Sequence, residues 1–232
     1  VNFINNGSIT GIMSTASGSS RGYGIYNTGT MGDITNRGVI SGYGDYSGTS
    51  TGNGYGSGIY NLYTIGDITN TGIINGTGVS SGYGIWNSYN SAKIGNITNT
   101  GVISGSGAGS RVVSYGIYNS DSAKIGNITN IGVISGTGAG TSSAGYGYGI
   151  YNYTSAEIGN IINTGIIRGI GTSNSTSASS HGYGIYSYNT SEMGNIENAG
   201  IINGIGASSG YGINNISSTI RDITNNIGII NT

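Results

Sequence analysis

The side chains with acid–base chemistry are few and scattered: seven Lys and Arg, eight Asp and Glu, and one histidine, His181. Cleaving a polysaccharide would need two carboxylates close together, or a carboxylate beside a base, and no such cluster is visible. Asp33, Asp67 and Asp222 hold a position that elsewhere carries Asn96, Asn127, Asn160 and Asn195. That is how a turn position accepting either type behaves. His181 sits in "ASSHGYG", which reads as exposed loop with no Ser or Asp partner marked by spacing. Lys124 and Glu157 fall one repeat apart and are expected to pair, and Lys93 and Lys124 to be adjacent like charges.

With no cysteine, thiol catalysis, disulfides and cysteine–zinc sites are excluded. The calcium-binding Gly-Gly-x-Gly-x-Asp repeat is missing, and "GYGYG" lacks the lysine and helix of a phosphate loop. The expectation is a chain with no catalytic residue, no metal and no cofactor, and so not an enzyme. Charged residues are 6 % of the chain and net charge is −1, which argues against nucleic acid, whose phosphates need clustered Lys and Arg. No run of about 18 apolar residues exists, so no membrane insertion is expected. The opening "VNFINNGSIT" has neither the basic start nor the apolar core of a signal peptide.

What the sequence has in quantity is glycine, 48 residues, with no proline. Isoleucine in register separates this from disordered low-complexity chain. The block [Asp/Asn]-Ile-x-Asn starts at Asp33, Asp67, Asn96, Asn127, Asn160, Asn195 and Asp222, at spacings of 27 to 35 residues. A second block, Gly-Ile-[Tyr/Trp/Asn]-Asn, carries Ile25, Ile59, Ile85, Ile117, Ile150, Ile185 and Ile213. A third, Gly-[Val/Ile]-Ile, carries Ile40, Ile74, Ile103, Ile134, Ile167 and Ile202, with Ile9 and Ile230 at the ends. Between the third block and the next Gly-Ile-Tyr lies a tract of variable length, such as "SGTGAGTSSAGYGY", which reads as a surface loop.

Gly, Asn, Thr, Ser and Ile are poor helix formers, and short apolar runs bounded by Gly and Asn read as strands. The fold class expected is all-β: a right-handed parallel β-helix, or β-solenoid, of about seven coils of about 31 residues, three short strands per coil. The chain 1–232 reads as one domain. A single coil cannot bury its isoleucines, so each must pack on the same residue of the next coil.

Strand side chains alternate in direction. With Ile inward, the residue after it points out, which lines up Tyr26, Tyr60, Trp86, Tyr118, Tyr151 and Tyr186 on one face. Such a strip either stabilises its sheet by ring stacking or offers a surface to sugars or another protein. Two asparagine ladders are expected at corners. One is Asn27, Asn61, Asn87, Asn119 and Asn152, broken at Ser187 and resumed at Asn215; the other runs from Asn36 to Asn225. Alternation also turns Val39, Ile73, Val102, Val133, Ile166 and Ile201 outward. That apolar stripe must be covered by the variable tract, turned in by a bulge, or met laterally by another chain. Thr35, Thr69, Thr98 and Thr129 stack, but the column breaks at Ile162 and Glu197, so a regular ice-binding array is not expected.

Both ends carry versions of the same block, "FINNGSITG" and "DITNNIGIINT". The expectation is a segment of a longer array, or a subunit stacking end to end into a fibre. "GIYN…AKIGNITNTGVISGSG" in tandem resembles the passenger regions of Gram-negative autotransporters and haemagglutinin-like surface adhesins. That resemblance implies a non-enzymatic β-helical shaft at the cell surface or outside the cell. Its partners would be itself, or host and matrix glycans and proteins. The alternative is a carbohydrate-binding module using the Tyr/Trp strip.

Overall fold

In a computed structural model of the chain, residues 1–16, 18–46, 53–226 and 228–230 are described. They contain no helix. Their strands form four parallel sheets, each built from one strand per coil. Sheet A has eight strands, from Phe3–Asn5 to Ile223–Asn225, and holds the Ile-x-Asn block. Sheet B also has eight, from Ser8–Thr15 to Ile229–Ile230, and holds the Gly-[Val/Ile]-Ile block. Sheet C has seven, from Ser20–Asn27 to Ser209–Ile216, around Gly-Ile-Tyr. Sheet D has seven strands of two residues each, from Thr30–Met31 to Thr219–Ile220. The chain is a β-solenoid of about seven turns. A full coil therefore has four strands rather than three: three sheets follow the three blocks, and the fourth follows Met31, Ile65, Ile94, Ile125, Ile158, Met193 and Ile220, three residues before the isoleucine of the Ile-x-Asn block.

Register places like on like. Ile103 pairs with Ile74 and Ile134, Ile117 with Ile85 and Ile150, and Ile128 with Ile97 and Ile161. Sheet D adds Ile65, Ile94, Ile125, Ile158 and Met193, so each central rung buries one large aliphatic side chain from each sheet in a single core. Stacked isoleucines interdigitate because neighbouring rungs present the same shape.

The variable tract is not a loop. "SGTGAGTSSAGYGY" continues the strands Val133–Gly140 and Gly145–Tyr153, leaving only 141–144 as a tip. Beyond the isoleucine core, sheets B and C lie backbone against backbone and form a flat arm. A Cβ built on Gly136 would fall 2.1 Å from the Tyr148 carbonyl oxygen, and one on Gly147 2.1 Å from that of Ile170. Gly42, Gly76, Gly105 and Gly169 are in the same position, 2.0–2.1 Å from a carbonyl oxygen of the opposite sheet. Ordinary facing sheets stand about 10 Å apart because side chains separate them. Here alternate glycines remove the separator, and parallel pairing satisfies the peptide groups. Repeat length varies with the arm: the tip is 79–80 in one coil and 174–180 in another.

The Val39–Ile201 stripe points outward, as alternation requires. Pairing runs unbroken from Val39 and Ile73 to Gly44 and Gly78, so no bulge turns it in, and the variable tract, one of its possible covers, forms the arm instead. Ile73 is 42 % exposed and the rest of the stripe half-buried.

Between sheets C and D the chain turns through left-handed residue pairs that stack on one another: Asp121 and Ser122, Thr154 and Ser155, Asn189 and Thr190. Ser122 N–H donates to Thr154 O, and Ser155 N–H to Asn189 O. A β-branched residue is strained in this region, and Thr154 has φ 51°. Thr154→Asn is expected to stabilise the chain by about 0.5–1 kcal/mol, raising the thermal midpoint by roughly 2 °C. An unchanged or lower midpoint in a calorimetric scan would contradict it.

Candidate functional site

The features most able to do something are three hydrogen-bonded columns and a pair of aromatic columns. At the A–B corner, Asn5, Asn36, Asn70, Asn99, Asn130, Asn163, Asn198 and Asn225 form a continuous amide ladder. Each Nδ2 donates to the Oδ1 of the next residue at 2.8–2.9 Å. The same nitrogens reach carbonyl oxygens, for Asn99 those of Gly101 at 3.2 Å and Val133 at 3.1 Å. At the C–D corner Asn27, Asn61, Asn87, Asn119 and Asn152 do the same. Ser187 breaks this second ladder, as its sequence position requires, and its hydroxyl pairs instead with that of Ser191.

The third column answers why Asp and Asn alternate before sheet A. The Oδ1 of each accepts the backbone N–H of the same position one rung on, from Asn2 through Asp33, Asp67, Asn96 and Asn127 to Asn160. Only an acceptor is needed, and both residue types supply one.

The aromatic strip is where the sequence placed it, but it is half of a larger structure. Tyr26, Tyr60, Trp86, Tyr118, Tyr151 and Tyr186 point outward from sheet C. Beside them runs a second column, Tyr23, Tyr83, Tyr115, Tyr148, Tyr183 and Tyr211, with Ser57 in the remaining place. Simple alternation would turn these inward, two residues before the inward Ile. The glycine between resets the alternation. Strand pairing skips Gly84 and Gly116, and a Cβ on Gly84 would lie 2.7 Å from the Ile103 Cγ2. The constant spacing Tyr-Gly-Ile-Tyr was the available signal: two aromatics three apart share a face only if the strand kinks between them.

Within the inner column, centroids are 5.1 Å apart for Tyr83–Tyr115, 5.2 Å for Tyr115–Tyr148 and 5.1 Å for Tyr148–Tyr183, at interplanar angles of 10–15°. Cross contacts knit the two columns, as in Tyr83–Trp86 at 4.5 Å and Tyr115–Tyr118 at 4.6 Å. Rings stacked at the rung spacing turn their faces along the rod and their edges outward. Tyr83, Tyr115 and Tyr148 are buried, and in the outer column only Tyr26, at 53 %, is fully in the exposed range. His181 is not in a loop. It opens the strand His181–Tyr188, stacks on Tyr146 at 5.0 Å, and its Nδ1 hydrogen-bonds the Ser209 hydroxyl. The Lys124–Glu157 pair forms, Nζ to both carboxylate oxygens at 2.7 and 2.8 Å.

Burial pushes the phenols of Tyr60 and Tyr118 up to about 12 and those of Tyr83, Tyr115, Tyr148 and Tyr151 well above the usual tyrosine range. The folded state therefore holds these protons more tightly than the unfolded chain. Their contribution to stability is complete below about pH 10 and is lost as pH rises above it. In an absorbance titration at alkaline pH, a fraction of the tyrosines is expected to ionise only together with loss of the circular dichroism of the fold. Full ionisation near pH 10 with the fold intact would contradict the burial.

Among the described residues no group of three or more His, Asp or Glu is placed to hold a metal. No helix there is long and apolar enough to cross a membrane. The class this architecture defines is a parallel β-solenoid with internal amide ladders and a double aromatic column. No protein-family model, curated protein or solved structure matches the chain.

Proposed function

We propose that the chain is a structural shaft: a stiff, non-catalytic rod that holds or spaces other parts and contacts partners along its sides. The observation that carries this reading is the unbroken amide ladder from Asn5 to Asn225. Bending or stretching the rod means breaking buried hydrogen bonds at every rung, where each is strengthened by low polarity and by its neighbours. The proposal extends to display at or beyond the cell surface in the manner of an adhesin stalk. There the variable arm tips and the Val/Ile stripe would meet host or matrix molecules, or other copies in a filament. Repeat style and the poverty in charge and cysteine support that extension.

Stretching single molecules tests the shaft. A rod of this kind resists force and then yields in steps of about one coil; smooth extension at low force overturns the reading. Surface display is tested separately by antibody labelling of intact source cells, where signal only after permeabilisation counts against it. Electron microscopy of the purified chain tests the filament: particles no longer than roughly 35 Å, seven rungs at about 4.8 Å, remove it. Use of the aromatic strip as a sugar-binding platform has less support, because sugars stack on free ring faces and these faces lie against one another. A glycan array with Trp86→Ala and Tyr118→Ala addresses it; sugar retention lost in both variants would restore the carbohydrate reading.

A further inference from the structure

Among the described residues, the outward column of sheet D carries charges in an ordered run. Strand pairing sets its residues one above another as Thr30, Thr64, Lys93, Lys124, Glu157, Glu192 and Thr219. From Thr64 to Thr219, read from either end, this is a threonine, two charges of one sign, two of the other and a threonine. It maps onto itself with all signs reversed by a two-fold axis perpendicular to the rod, between Lys124 and Glu157. The sign reversal is confined to this column: in the next two positions Gly66 shares its place in the repeat with Arg221, and Asp67 with Asp222. Beside the column runs a groove of about 400 Å³ floored by Gly126, Gly159 and Gly194, with room for long side chains of a facing copy.

We propose that this flank is an isologous interface at which two copies of the chain associate side by side and antiparallel. Lys93 then meets Glu192 and Lys124 meets Glu157 across the axis, each contact made twice. The sign pattern selects this arrangement. Parallel rods in register put Lys on Lys and Glu on Glu. An antiparallel slip by one rung centres the axis on a like pair, and a slip by two opposes the lysines to each other or the glutamates to each other. Lys124 and Glu157 keep their bond within each chain, so the centre becomes a square of alternating charge. The pairs are solvent-exposed, which makes the association weak and strongly dependent on salt. This inference does not depend on the shaft reading or on surface display.

Sedimentation of the 232-residue chain is expected to show a reversible dimer near 20 mM salt that dissociates near 0.5 M, where the screening length falls from about 20 Å to about 4 Å. The double variants K93E/K124E and E157K/E192K are each expected to stay monomeric at low salt, and an equimolar mixture of the two to form a one-to-one dimer. Circular dichroism establishes that both fold. Zero-length carbodiimide coupling of the wild-type chain gives a readout that needs no variant. Lys93 and Glu192 lie three rungs, about 14 Å, apart in one chain, beyond the reach of a direct amide bond, so a Lys93–Glu192 linkage found by mass spectrometry in the dimer band arises only between copies. A wild-type chain monomeric at low salt overturns the proposal. So do double variants that dimerise as well as the wild type, or a mixture that stays monomeric. A dimer band without the Lys93–Glu192 linkage overturns it as well.

Discussion

Gly136→Ala is expected to cost about 3 kcal/mol or more, an unusually large penalty for adding one methyl group. The new Cβ would lie 2.1 Å from the Tyr148 carbonyl oxygen and 2.5 Å from that of Ser114, both main-chain atoms of sheet C. No rotamer relieves such a contact; the two sheets must part. Parting them at one rung disturbs the pairing of Gly136 with Gly105 and Gly169, so the strain spreads to neighbouring coils, as in other one-dimensional assemblies. Gly29→Ala is the control, because nothing lies within 4 Å of its Cβ position and its φ is negative. It is expected to change stability by less than about 0.5 kcal/mol. Denaturant unfolding of both variants decides the matter. A Gly136→Ala chain as stable as Gly29→Ala would mean that the arm's sheets do not touch through their backbones.

Asn130→Asp is expected to be the most damaging isosteric change in the chain at neutral pH, at about 4 kcal/mol. Asn130 is fully buried. Its Nδ2 donates to Asn163 Oδ1 at 2.8 Å and approaches the carbonyl oxygens of Gly132 and Ile166 at 3.2 and 3.1 Å. An ionised carboxylate there would aim an oxygen without a proton at all three. The folded state will resist that charge, so the variant's carboxyl is expected to titrate higher in the folded chain than in the unfolded one. The folded state then favours the protonated form. The stability deficit is smallest below the ordinary carboxylate range, near pH 4, where the acid can donate, and grows as pH rises through the folded value. Asn130→Ala removes the same donor without a charge and is expected to cost a pH-independent amount, about 3 kcal/mol. Unfolding curves between pH 3 and 7 separate the two. An aspartate variant insensitive to pH, or milder than alanine, would show that the ladder does not depend on the donated hydrogen.

The two predictions probe different kinds of information. The amide ladders could be read directly, because Asn recurs at a fixed offset from an inward Ile, and a ladder needs only that like residues align. The break at Ser187 was equally legible. The glycine arm reads as a loop in the sequence and is strand in the fold. Gly-Ser-Thr composition usually marks a loop, and whether alternate glycines face a second backbone or solvent depends on what lies opposite. Only the fold supplies that neighbour. The inner tyrosine column was missed for a related reason. Period-two alternation turns Tyr83 inward, and the kink at Gly84 that reverses it is a local departure from the strand pattern, enforced by the close approach of Ile103. His181 followed the arm: once "ASSHGYG" became the start of a strand, its ring gained Tyr146 as a stacking partner.

The sequence alone determined the repeat, its phase, and which isoleucines and asparagines stand over one another, because those depend on translation along one axis and a repeat states its own translation. Distances across the coil were decided by tertiary structure: how sheets B and C close on glycine, which way each tyrosine ring turns, and whether the outward valines are covered. Those contacts join residues of different blocks, and no periodicity in the chain encodes the separation between faces that meet only after the coil has closed.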